Sequence, residues 1–234
     1  MAAREFKEFQ DQVEAVIQDQ AGKLSDIDRD RFIRKAITQR YSEDRPIITV
    51  VDAVSDGTQL LALPDPYEEG FSFVKSIEYP IGQIPPKLIE DDSWQEYRDP
   101  TGLKLMLSLL NPTSGEKLRL TFTSRHNSDG KTVPDVDFYA LCDYAASLCL
   151  ETLAALYAQT GDPTVQADVV NYRTKSSEYL TLAKAARARY YTYMGVDEGT
   201  ASKGGSDHPG SIAMGDLNET MSWGGDRMTH GRPR

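Results

Sequence analysis

The stretch from Ser76 to His126 decides the fold class: S-I-E-Y-P-I-G-Q-I-P-P-K-L-I-E-D-D-S-W-Q-E-Y-R-D-P-T-G-L-K-L-M-L-S-L-L-N-P-T-S-G-E-K-L-R-L-T-F-T-S-R-H. Its apolar runs are short and are separated by Pro, Gly, Asn and Asp, the residues that punctuate extended chain. Leu103, Leu105, Leu107 and Leu109 alternate with Lys104, Met106 and Ser108; Leu118, Leu120 and Phe122 alternate with Arg119 and Thr121. A period of two marks half-buried strands. With Asn111 to Gly115 as the turn, the two runs read as a hairpin. Helical patterns flank this module on both sides, and no catalytic motif lies in or beside it. A β module inserted in a helical scaffold suggests an assembly part rather than an enzyme.

Upstream, Phe6, Phe9, Val13, Val16 and Ile17 fall on one face of a helix expected from about Ala3 to Gln20, with Gly22 as its stop. A second helix starts at Ser25, an N-cap residue with Asp28 three positions on. It carries Ile27, Phe32, Ala36 and Ile37 and ends near Tyr41. Pro46 forces an exit from helix. The β-branched run Ile47 to Val51, a hairpin signal at Asp56-Gly57, Leu60 to Leu63, and an extended stretch from Phe71 to Ile77 continue the β pattern.

Downstream, a helix begins near Pro134, a favoured first-turn proline, and ends at Gly161. Its stripe is Phe138, Leu141, Cys142, Ala145, Leu148, Cys149, Thr152 and Leu156. Asp162-Pro163 restarts the chain. Val165, Val169, Tyr172, Ser176, Tyr179, Ala183, Ala186, Tyr190 and Tyr193 then follow in steps of four and three, one packing seam along a helix of roughly 30 residues. Whether that seam packs within the chain or against a neighbouring subunit is open at this stage. From Val196 onward glycines break any regular pattern, yet Ile212, Met214, Leu217, Met221, Trp223 and Met228 are spread through the segment. Spaced apolar anchors in an otherwise polar tail suit a segment that orders on a partner. The fold class is therefore α+β: a four-helix bundle (residues 1–45 and 131–195), an inserted antiparallel β domain (46–130) and an extended C-terminal tail (196–234).

Composition narrows the function. The formal net charge is −10, which disfavours nonspecific binding of nucleic acid by the isolated chain. No window approaches the ~18 consecutive apolar residues of a membrane span, and no membrane partner is expected. Cys142 and Cys149 lie seven residues apart on one helix. That places them about 10 Å apart along its axis, too far to pair, which suits two small core residues in a reducing compartment.

The chemistry-bearing patterns are weak. Asp26, Asp28 and Asp30 open like a calcium loop, but Arg31 and Ile37 stand where that loop needs Gly and Glu. Neither a phosphate-cradling nor a dinucleotide-binding glycine motif occurs. Of the 3 histidines, His126, His208 and His230, none has ligand spacing to another His or Cys, so no zinc, other metal or cofactor is expected. The acid pairs Glu68-Glu69 and Asp91-Asp92 read as solvated turn residues. A hydrolase with a nonstandard site would have to use them or His126.

The string Tyr79 to Glu90 (Y-P-I-G-Q-I-P-P-K-L-I-E) resembles the head-to-tail adaptors of tailed bacteriophages, also called connector or head-completion neck proteins. So do Asp92 to Pro100 (D-S-W-Q-E-Y-R-D-P) and the run from Thr121 to His126 leading into Val133 to Leu148. The order of parts extends the likeness over nearly the whole chain. The resemblance implies a structural virion protein in the neck, made in the host cytoplasm. It implies a homo-oligomeric ring, usually of twelve subunits, docked beneath the portal protein. Such a ring extends the channel for the viral DNA without reading its sequence, and it meets the next neck or tail-completion protein. The C-terminal anchors Ile212 to Met228 would reach the portal. The resemblance carries no catalytic residues. Another tail-completion or baseplate ring component is the alternative reading.

Overall fold

The computed structural model describes residues 4–19, 22–159 and 172–196. The chain divides at Tyr190 into a unit of residues 1–190 and a second unit that starts at Tyr191 and is described as far as Val196. The architecture is α+β, with four helices and two antiparallel sheets among the described residues.

Helix α1 spans Phe6–Ile17 and buries Phe9, Val13 and Ile17. It starts on a capping box between Glu5 and Glu8 and stops at Gln18, which takes the left-handed conformation four residues before Gly22. Helix α2 starts at Asp26, with the Ser25 hydroxyl accepting the Asp28 N–H at 3.1 Å. It runs to Lys35, continues as a π-helical segment over Ala36–Tyr41, and closes with a last turn at Ser42–Asp44. The Ser42 hydroxyl donates to the Ile37 carbonyl at 2.8 Å, beside the Ser42 backbone N–H that donates to the same oxygen. Helix α3, Phe138–Gln159, follows a 3₁₀ turn at Asp135–Asp137 rather than starting at Pro134. Helix α4 spans Tyr172–Met194.

Helix α3 is the axis of the bundle. Its buried residues point in every direction, from Phe138, Leu141 and Cys142 to Leu150, Leu153 and Tyr157. Helices α1 and α2 pack on it, and α4 runs antiparallel along it through Tyr144–Tyr190 and Tyr157–Tyr179 ring contacts. This explains why Asp135–Gln159 is long and apolar enough to cross a membrane by length and composition: 56% of that window is buried inside the protein. A core helix surrounded by neighbours is hydrophobic all round for the same reason a membrane helix is.

The β module holds two three-stranded sheets. One has the order β1-β6-β3, with β1 at Ile47–Val54, β3 at Val74–Glu78 and β6 at Lys117–Ser124; the other has the order β2-β5-β4, with β2 at Leu60–Ala62, β4 at Trp94–Asp99 and β5 at Gly102–Leu107. Their inner faces share one core: Leu61, Val74, Ile77, Leu105, Leu107, Leu118, Leu120 and Phe122. Burying each such side chain contributes about 1.5–3 kcal/mol before entropy is counted.

The hairpin expected from Leu103–Leu109 and Leu118–Phe122 does not form. Strands β5 and β6 lie in different sheets, and Leu109 is exposed beyond the end of β5. Alternation correctly identifies the buried face, but it does not name the neighbouring strand. Asp56-Gly57 likewise leads from one sheet to the other instead of closing a hairpin. The two connections meet each other: Gly57 N–H donates to the Ser55 hydroxyl at 3.0 Å, Gly115 N–H to the Ser55 carbonyl at 2.9 Å, and the Ser55 hydroxyl to the Pro112 carbonyl at 3.2 Å. The tight hairpin is β4–β5, where Asp99 pairs with Gly102 and the Asp99 carboxylate accepts both the N–H (2.7 Å) and the hydroxyl (2.6 Å) of Thr101.

Gly130 sits where the chain returns from the sheets to the bundle. Its φ is +77°, and a Cβ there would meet Phe9 Cε2 of α1 at 2.6 Å. Gly70 also has positive φ (+83°) but faces open space. Gly130→Ala is therefore expected to destabilise the protein by about 1–3 kcal/mol more than Gly70→Ala does, read as urea midpoints.

Candidate interaction surfaces

The functional geometry starts at the joint between bundle and sheets. The chain leaves the bundle at Arg45 and returns through His126. Between them lies the Asp137 carboxylate, 1% exposed. It accepts the Tyr41 hydroxyl at 2.5 Å and the Arg45 guanidinium at 2.6 Å. The π-helical winding of α2 places Tyr41 and Ser42 here: the Ser42 hydroxyl accepts the His126 N–H at 3.0 Å, and the Tyr41 and His126 rings lie 4.7 Å apart. His126 Nε2 lies 2.8 Å from the Arg45 carbonyl, an acceptor only, so Nε2 donates; Nδ1 pairs with the Thr132 hydroxyl at 3.1 Å. Arg125 adds a bond to the Thr38 carbonyl at 3.0 Å and an ion pair with Glu68 at 2.7 Å. Asp44 accepts the Tyr190 hydroxyl at 2.5 Å and pairs with Arg40 at 2.8 Å, which ties α4 to the same end of α2.

Burial sets the ionisation of this joint. It pushes the His126 imidazole below its ordinary value, more strongly than the Arg45 carbonyl and the Asp137 charge raise it. It raises Asp44 despite Tyr190 and Arg40, and it raises the Tyr190 hydroxyl, which Asp44 reinforces. The Cys142 and Cys149 thiols are buried and each is pushed up to about 12. Among the described residues, no group of three or more His, Cys, Asp or Glu is placed to hold a metal ion.

Two surfaces face outward from this frame. The first is a finger at Tyr79–Ile89, inside the string Tyr79–Glu90. Its feet, Tyr79 and Ile89, pack against the sheet core. Its neck is zipped by Tyr79 N–H to the Lys87 carbonyl (3.0 Å), Ile89 N–H to the Ile77 carbonyl (2.8 Å) and a bridge between Glu78 and Leu88. The Tyr79 hydroxyl is braced on Glu116 at 2.7 Å, and Gly82 N–H on the Glu78 carboxylate at 3.0 Å. At the tip Ile84 is 98% exposed, and Leu88 is exposed on the return.

The second is the outer face of β1. Val51 and Ala53 point into the core, while Ile48, Val50 and Val54 are exposed. Asp52 shares that outer row and is held by Arg119 at 2.7 Å, which also reaches Glu78 at 3.4 Å. The Arg119 bond holds the Asp52 carboxyl below its ordinary range. A near-continuous β-branched run reads as a strand buried on both faces; Asp52 is the one charged residue in it that signals otherwise. Sequence reasoning missed both surfaces.

The seam of α4 packs inside the chain where it is described. Tyr179 stacks on Tyr157 at 5.2 Å, Ala183, Ala186 and Tyr190 are buried, and the Ser176 hydroxyl donates to the Ala154 carbonyl at 2.9 Å. Tyr193 is exposed. Tyr172 lies in the helix. Val165, Val169 and the tail anchors Ile212, Met214, Leu217, Met221, Trp223 and Met228 lie outside the described residues.

The depressed His126 fixes a sign for pH dependence. The unfolded chain takes up a proton near pH 6.5 and the folded chain only below that, so His126 stabilises the fold above 6.5 and that contribution is lost as pH falls. His126→Gln is expected to flatten the fall in melting temperature from about pH 7.5 to about pH 5.5, read by thermal melts of both proteins at matched ionic strength.

No family model matches the sequence, and no curated protein matches it. A similar solved structure is the neck of an empty GTA (gene transfer agent) particle computed with C6 symmetry, with 15% identity, a TM-score of 0.25, and an alignment covering 76% of this chain and 89% of that chain.

Proposed function

We propose that this protein is a structural neck component of a tailed-phage-like particle, a head-to-tail adaptor whose copies form a ring beneath the portal and extend the DNA channel. The observation that supports it best is the finger. One of the strings that resemble the adaptors, Tyr79–Glu90, builds a projecting loop with a braced neck and an apolar tip. An Ile exposed to 98% on a buttressed loop has no role in stabilising its own chain. It suits burial by another protein, at low ordering cost because the loop is already held.

The reading assigns no reaction to the protein. His126 has both ring nitrogens in hydrogen bonds, and the two thiols are buried and held protonated. The adaptor's work is mechanical: a platform for the next neck or tail-completion protein, and a wall past which DNA slides. The net charge of −10 suits that wall if acids face the lumen, because a negative surface repels phosphate. The tail anchors from Ile212 to Met228 would dock on the portal, where many weak contacts around a ring add to a strong one.

Truncation after Met194 tests the tail. The truncated chain is expected to keep its melting temperature within about 2 °C, the shift expected from well under 1 kcal/mol in a domain this size, and to fail to co-sediment with portal rings. Normal co-sedimentation of the truncated protein would remove the tail from the docking mechanism.

A further inference from the structure

The sheet β1-β6-β3 treats its two edges differently. The outer edge of β3 is occupied by its own chain at one end: the finger's return, Lys87–Ile89, hydrogen-bonds along Ile77–Tyr79. The outer edge of β1 has no strand beside it among the described residues, over eight residues, Ile47 to Val54. Long, apolar edge strands are normally blunted by Pro, Lys, a bulge or a covering loop. Strand β1 has none of the first three: it contains neither Pro nor Lys, and its register with β6 is unbroken from Ile47 to Val54. Its outer row presents three apolar side chains and one charge.

We infer that neighbouring copies of this chain meet edge to edge through this sheet, the finger of one copy lying across β1 of the next, with Ile84 and Leu88 against Ile48 and Val50, and Lys87 opposite Asp52. This rests on the ring reading above and names the contact that builds the ring. The occupant of the β1 face is a second copy because this chain carries both halves on one sheet. The finger rises from β3, and the apolar row lies on β1, two strands and about 10 Å away. Two different complementary surfaces at opposite edges of one rigid element make a heterologous contact, the kind that propagates into a ring. A β1-to-β1 contact would stop at two copies and leave Ile84 bare.

The charges agree. Lys87 is the single charged residue between Pro80 and Ile89, and Asp52 the single one between Ile47 and Val54. Asp52 is already held in place by Arg119, so it meets a neighbour's ammonium without having to be ordered first. Arg119 and Lys117 already stand near Asp52, so the apolar side chains, more than the Lys87–Asp52 pair, carry the contact.

The test is cysteine cross-linking in the full chain with a short bismaleimide. Cys142 and Cys149 are buried and do not react under brief labelling. The Val50→Cys/Ile84→Cys double variant is expected to give a ladder of multimers on a denaturing gel. Each single variant alone should stay monomeric on that gel, and the two singles mixed should give dimers. Ile84→Glu should keep the wild-type melting temperature and lower the oligomer fraction in native mass spectra at least tenfold. Cross-linking of Val50→Cys with itself would show a β1-to-β1 contact and overturn the inference. Oligomers in the native spectrum without a ladder would overturn this contact while leaving the ring reading standing. A chain that stays monomeric both alone and with portal rings would overturn the ring reading and this inference with it.

Discussion

The Asp137 carboxylate is the constraint on which the arrangement depends. It is 1% exposed, so its charge must be compensated inside the protein. Tyr41 and Arg45 do this from the end of α2, and Asp137 itself heads α3. One buried carboxylate thus ties the head of α3 to the place where the chain leaves the bundle, and Arg45 and Ser42 there bond in turn to His126 where it returns. The π-helical segment carries Tyr41 and Ser42 to this spot. The Ser42 hydroxyl then serves two masters, donating to Ile37 and accepting from His126. Removing one partner from such a network would strand the others, which is why buried ion pairs are costly to break even when their net contribution is small.

The joint has a consequence for the sheets. With His126, Arg125 and Arg45 fastened to the bundle, the β module is a fixed projection. The finger inherits that rigidity through its feet, Tyr79 and Ile89, in the sheet core, and through the Tyr79–Glu116 brace. The adaptor role proposed above would use surfaces already in place before a partner arrives, because ordering at the interface subtracts from affinity. The finger and β1 each present exposed apolar side chains on structured elements: Ile84 and Leu88 on one, Ile48, Val50 and Val54 on the other.

Much of this was legible in the residues. The seam on α4 showed as alternating steps of three and four, and Tyr179, Ala183, Ala186 and Tyr190 do line its inner face. The Ser25 cap and the inward positions of β5 and β6 were equally plain, because side-chain periodicity is a local property. Strand partners are not local. Leu103–Leu107 and Leu118–Phe122 look like a hairpin, but the turn chemistry that closes one is Asp99-Pro100-Thr101-Gly102, while Ser55 draws the Pro112–Gly115 connection across to the other sheet. The π-helical segment left no trace in the pattern; the partner its Tyr41 meets, a buried carboxylate 96 residues away, is tertiary. The outer face of β1 was hidden for a related reason: Ile48 and Val50 look buried until tertiary packing leaves that face of the strand uncovered.

The adaptor reading is tested most directly by electron microscopy of the full-length protein mixed with portal rings, with native mass spectrometry giving the stoichiometry. The account predicts a ring of copies stacked coaxially on one end of the portal, with a continuous channel through both. Portal rings that remain bare, beside a protein that stays monomeric at the highest concentration used, would contradict it.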